Sequence, residues 1–297
     1  MLNKMTTSLT QPISKKMLLA ILIITIGAEV DLYLSRYSYL AETLYNGIMV
    51  GSLFLGLKLS PRLRDPLVIP KTKRQLSLQF TGAFLIFFLV STVNNFYSTI
   101  VFQDFSDNYD QYVQSYTDPQ TYVDDGTSPN FVSSFFDKVD TFGNDLYSDA
   151  LAGLEEVWRL AYIVLILIIF KKIFPNRWNK GSRDIFVMLA LFISSILFGI
   201  DHTLDTEESW PVRVGAIVTF ANMGFTFGLI LLWTRNLWLA VIVHAVYDIV
   251  TTTSWYFFDY AVEVFAFVVL VLHIILFTIE KRKKKYDQPI ESLPMAE

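Results

Sequence analysis

Two histidines stand where the chain is otherwise apolar, and their partners stand at helical spacing. His202 closes the run Phe198-Gly199-Ile200-Asp201-His202, and His244 opens His244-Ala245-Val246-Tyr247-Asp248 inside another. The whole chain has only three histidines. A third cluster, Glu155-Glu156-Val157-Trp158-Arg159, begins a further apolar run. Ionisable groups at membrane depth are costly and mark functional sites by default. A carboxylate and an imidazole together can orient a water molecule and remove its proton, and a second imidazole can hydrogen-bond a developing oxyanion. Arg159 is within reach of Glu155 (four residues) or Glu156 (three) on one helix face. Asp248, four residues from His244, is close enough to fix its tautomer. The chemistry these groups suggest is hydrolysis of a peptide bond by activated water.

Each residue also has a plainer reading. A glutamate pair at a helix start is favoured by the helix dipole alone, and His202 could be an ordinary interfacial histidine. His273 has no motif around it and reads as a packing residue. Glu29 and Asp31 could lie at the interface or face the bundle. Gly224 and Gly228 read as small residues that allow close helix packing. With no cysteine in the chain, disulfides, thiolate metal sites and a cysteine nucleophile are excluded.

The frame is read from composition. The chain of 297 residues is 53% hydrophobic and only 18% charged, with repeated apolar runs near membrane length, which places it among integral membrane proteins. The fold class expected is all-α, a polytopic bundle of about eight spans. Residues 1–16 form a polar N-terminus, and residues 17–99 hold three spans, near 17–34, 44–59 and 78–98. Residues 100–150 form a loop with ten aspartates, rich in aromatics, expected to be partly ordered with short helices at the membrane surface. Residues 151–254 hold four spans, near 151–170, 185–201, 214–233 and 237–254, with Thr234-Arg235-Asn236 as a tight turn. The last span occupies 255–280 and a basic tail 281–297. The basic connections alternate with the acidic ones, so the positive-inside rule gives both termini inside. On this topology His244 lies roughly 12 Å from the inner face at 1.5 Å per residue, deeper than the glutamates and His202. The basic clusters are short and sit beside spans, giving no nucleic-acid site; their partner is the lipid bilayer.

These motifs, in this order, resemble the CPBP family of intramembrane proteases (CAAX proteases and bacteriocin-processing or immunity proteins, also called Abi). The family carries EExxxR, FxxxH and HxxxN or HxxxD on three separate helices. Here stand Glu155 to Arg159, Phe198 to His202, and His244 to Asp248. Gly224-Phe225-Thr226-Phe227-Gly228 and Asn236-Leu237-Trp238-Leu239-Ala240 are similar to the family's lead into its last motif. The resemblance covers about Gly153 to Val250. It implies an intramembrane endopeptidase in a bacterial-type plasma membrane, acting on a peptide or membrane-protein substrate. The first glutamate and first histidine would activate water, with the last histidine and its partner at the oxyanion. Arg159 and Phe198 would support them. No cofactor is expected; Zn held by His202, His244 and Glu155 is the alternative. Here two residues, not three, separate Glu156 from Arg159. Either the glutamates keep the family register and Arg159 arrives about 100° early, or Arg159 keeps it and Leu154 falls at the first glutamate position. The rival function is a catalytically inactive CPBP-like scaffold or regulator of a cell-envelope enzyme or sensor, with the 100–150 loop contacting a membrane-protein partner. A transporter is disfavoured, since no internal repeat is evident.

Overall fold

Apolar runs of this length cross a bilayer only if each closes its own backbone hydrogen bonds, so helices are the expected elements. The computed structural model describes residues 2–63, 71–109, 112, 131–181, 183–204 and 208–286, and among them the regular elements are all helices. In chain order these are α1 (Leu2–Leu9), α2 (Lys15–Leu22), α3 (Ala28–Ser35), α4 (Tyr39–Leu63), α5 (Lys73–Val101), α6 (Gln103–Asp107), α7 (Phe131–Ala152), α8 (Glu155–Ile173), α9 (Pro175–Lys180), α10 (Asp184–Asp201), α11 (Trp210–Thr234), α12 (Leu237–Tyr256) and α13 (Ala261–Tyr286). A π turn over Ile23–Gly27 joins α2 to α3. Residues 64–70 of the basic connection, 113–130 of the acidic loop (with Gly126 and Pro129), 205–207 of the short acidic loop, and 287–297 of the tail lie outside the described residues.

Local chemistry explains the helix ends. Thr72 and Gln75 form a reciprocal capping box at the start of α5. Pro211 stands in the first turn of α11 after Ser209, where its missing N–H is not needed. Arg235, at φ 53°, makes the left-handed turn after α11. Asn236 then caps α12 by accepting from the Leu239 amide at 3.4 Å. The tight turn expected at 234–236 is therefore present.

Among the described residues seven helices are long and apolar enough to cross a membrane: 15–35, 39–63, 73–101, 184–201, 210–234, 237–256 and 261–283. The eighth expected span, α8, is not among them, because Glu155, Glu156, Arg159, Lys171 and Lys172 interrupt it. Instead α8 is central. Val157, Leu160, Ala161, Ile163, Val164 and Leu167 along it are fully buried. They pack with Met5 and Leu9 of α1, Leu55 and Leu59 of α4, and Val187 and Leu191 of α10. A second cluster joins Phe84 and Phe87 of α5, Phe227 of α11, Val243 of α12 and Val269 of α13. In lipid such contacts hold a bundle by close packing rather than by expulsion of water. His273 packs here as expected, its Nδ1 2.7 Å from the Thr81 hydroxyl.

Candidate active site

The depth mismatch between the glutamates and His244 is removed by α7. This helix, from the acidic segment expected at the membrane surface, packs instead along α12. The Tyr256 hydroxyl donates to the Asp145 carboxylate at 2.6 Å. One turn on, Asp149 bonds Thr252. One turn further, Gly153 meets the α12 backbone, where a Cβ would lie 2.5 Å from the Val241 carbonyl oxygen and 3.0 Å from the Ala245 Cβ. The chain has thus already descended beside α12 when α8 begins, and Glu155 and Glu156 start level with His244. Gly153→Ala is expected to push α8 away from α12 and lower turnover at least tenfold. An overpacked contact of this kind costs about 1–3 kcal/mol, so assaying turnover beside a melting curve checks it.

At this level the two glutamates part. Glu156 and Arg159 are both buried and bound twice, Nε to Oε2 at 2.9 Å and NH2 to Oε1 at 3.1 Å. The shorter motif is thereby absorbed, with Arg159 closing on the second glutamate at i+3. Leu154 joins the apolar core, so Glu155 is the first carboxylate to face the site. Its Oε2 stands 4.0 Å from His244 Nε2. The His244 ring is held on both sides, Nδ1 3.2 Å from Glu156 Oε1 and Nε2 3.3 Å from Asp248 Oδ2. Phe227 stacks on it at 4.3 Å.

Arg159 also lies over the Phe198 ring at 4.3 Å, a cation–π contact whose value rises when desolvated. Gly224 and Gly228 make room for it. A Cβ at Gly224 would sit 2.8 Å from Arg159 NH1, and one at Gly228 would sit 2.0 Å from Leu191 Cδ1 and 3.5 Å from Arg159 Cδ. Their small size admits a helix neighbour, as expected, and a buried guanidinium as well.

His202 caps α10, with Nδ1 2.8 Å from the Phe198 carbonyl. Its ring stacks on Phe220 at 4.2 Å and tilts against Phe198 at 4.5 Å. Phe198 in turn stands 6.2 Å from His244. The three motifs therefore converge, with the Phe198 ring between the two imidazoles.

Three groups left undecided or unnoticed by sequence reasoning join them. Glu29 faces the bundle, accepting from the Tyr162 hydroxyl at 2.6 Å. With Glu155, Trp158, Arg159, Tyr162, Ser194, Phe198 and Asp201 it lines a small cavity, a space of about one water molecule whose largely apolar wall carries several polar groups. The π turn before α3 re-aims that helix toward it, a device common at functional sites. Tyr162, seven residues after Glu155, shares its helix face, which was the available signal. Asp149 is the third group. Its burial against α12 pushes the carboxyl up to about 6, with the Thr252 bond opposing and the Asp145 charge adding. The folded chain then holds that proton more tightly than the unfolded one, so this contribution to stability falls as pH rises from 3.8 to about 6. Asp149→Asn is expected to melt higher than the parent at pH 7 and together with it at pH 4. Among the described residues no cluster of three or more His, Cys, Asp or Glu has the arrangement to hold a metal ion.

Residues 155–250 match the family model Type II CAAX prenyl endopeptidase Rce1-like. No curated protein and no solved structure matches the chain.

Proposed function

We propose that this chain, whose residues 155–250 match the Rce1-like type II CAAX prenyl endopeptidase family model and whose motifs resemble those of the CPBP intramembrane proteases, hydrolyses a peptide bond of a membrane-associated polypeptide with activated water. The observation that supports this reading best is the division of labour between the glutamates. Glu156 is locked to Arg159, while Glu155 faces His244 beside a cavity fit for water.

In this reading Glu155 takes a proton from water as its oxygen attacks the scissile carbonyl. His202 brings the second imidazole to that water. Glu156 fixes His244 at Nδ1, and the Nε2–H that meets Asp248 in the resting chain is shared with the oxyanion as it forms. Asp248, a carboxylate, orients His244 rather than donating itself. When the tetrahedral intermediate collapses, the proton on Glu155 passes to the leaving amine. No metal ion enters the scheme. The chain spans a plasma membrane of bacterial type with both termini on the inner side, where the basic connections meet anionic lipid. Its substrate is a peptide or tethered protein end, and the family's name makes a prenylated C-terminus the first to try.

The test uses the purified full chain in detergent with quenched peptides anchored at one end, prenylated and not, with and without chelator. Cleavage insensitive to chelator and lost in Glu155→Ala and His244→Ala is the expected result. A folded chain that cuts none of the anchored peptides would favour the inactive scaffold acting through its 100–150 segment.

A further inference from the structure

The segment after α5 folds back onto α11 and reaches the carbonyl of His202. Phe105 and Tyr112 are 2% and 1% exposed and pack with Val212 and Ala216 of α11. Contact is close: a Cβ at Gly215 would lie 2.4 Å from the Phe105 Cβ. Tyr112 sets its ring edge-on to Phe105 at 5.5 Å and tilted to Phe220 at 6.0 Å. Phe220 is the ring on which the His202 imidazole stacks, at 19° between planes. The Tyr112 hydroxyl donates to the His202 carbonyl oxygen. His202 ends α10, where backbone carbonyls have no partner further along the helix. One side chain therefore holds His202 from two directions, its backbone by a hydrogen bond and its ring through Phe220.

We propose that Tyr112 is a positioning residue that fixes the orientation of the His202 imidazole, coupling the acidic extramembrane segment to the site. The residue lies outside the matched stretch 155–250, so a segment beyond that stretch reaches a site built from the motifs within it. The catalytic consequence rests on the protease reading above. The positioning itself does not, and the experiment separates the two.

Tyr112→Phe removes only the hydroxyl and keeps the ring packing. The full chain, labelled on its histidine rings in detergent micelles, carries three histidines, so its ring spectrum is assignable from single His→Gln variants. Expected are displaced His202 ring signals, with those of His244 and His273 unmoved and the melting temperature near that of the parent. Tyr260→Phe, at an exposed position before α13, is the control and leaves all three unmoved. On an active preparation Tyr112→Phe lowers kcat about tenfold at constant KM, as for a group acting only on the chemical step. Unmoved His202 signals in Tyr112→Phe overturn the proposal. So does a common shift of all three histidines with a lowered melting temperature, since that marks general loosening. If the parent cleaves nothing, the protease reading fails while the ring spectra still decide the positioning.

Discussion

Glu155→Gln is expected to abolish cleavage, with kcat falling by about 10²–10⁴, the range a general base supplies. The substitution keeps the size of the side chain and removes its ability to accept a proton. Its structural cost is small, because Glu155 lies outside the Glu156–Arg159 pair and stands 4.0 Å from the His244 ring. Fold and melting temperature should therefore stay close to those of the parent while turnover disappears. The two adjacent glutamates differ in this respect. One lines a small cavity and the other is bound at 2.9 and 3.1 Å by a guanidinium, so the same substitution at the two positions should have different signatures. Kinetics and thermal melting on the same preparations check the prediction.

The second large effect concerns stability. Arg159→Met leaves the Glu156 carboxylate in the bundle without its cation. Breaking a buried pair from one side costs about 3–5 kcal/mol, because the remaining charge is uncompensated. Arg159 is 2% exposed and Glu156 is fully buried, so solvent offers little relief. The variant also loses the cation–π contact at 4.3 Å with Phe198, the ring that stands between the two histidines. The double variant Glu156→Gln/Arg159→Met removes both charges and should recover most of the lost stability, as buried pairs replaced together often do. It should not recover full activity, since His244 Nδ1 then faces an amide in place of a carboxylate. Melting curves of the two variants against the parent test this, and equal destabilisation in both would contradict the electrostatic account.

What was legible in the sequence follows the physics of each element. The spans were visible because lipid demands continuous apolar runs, and the turn at 234–236 because a polar break separates two of them. The motif residues stood out because charge within such runs is rare. The course of α7 was not legible. Asp145, Asp149 and Gly153 fall one helical turn apart, yet in an acidic, aromatic stretch that spacing is indistinguishable from a solvated loop until Tyr256, Thr252 and the Val241 backbone are set opposite. For the same reason hydropathy does not show that Glu155 stands level with His244, since it places helix ends but not the contacts between helices. Both registers of the shortened motif fit the spacing, which does not fix that Arg159 pairs with Glu156 rather than Glu155. Glu29 could not be assigned because a π turn changes which face of its helix meets the bundle. Tyr112 carried no pattern at all, and its contact with His202 is purely tertiary.

The central claim is that Glu155 activates water for peptide hydrolysis inside the bundle. The most direct measurement is cleavage of an anchored peptide in water enriched in ¹⁸O, followed by mass spectrometry of the new C-terminus. The account predicts one ¹⁸O in that carboxylate for the parent chain, no product from Glu155→Gln, and no change with chelator. Product formed at the parent rate by folded Glu155→Gln would contradict it.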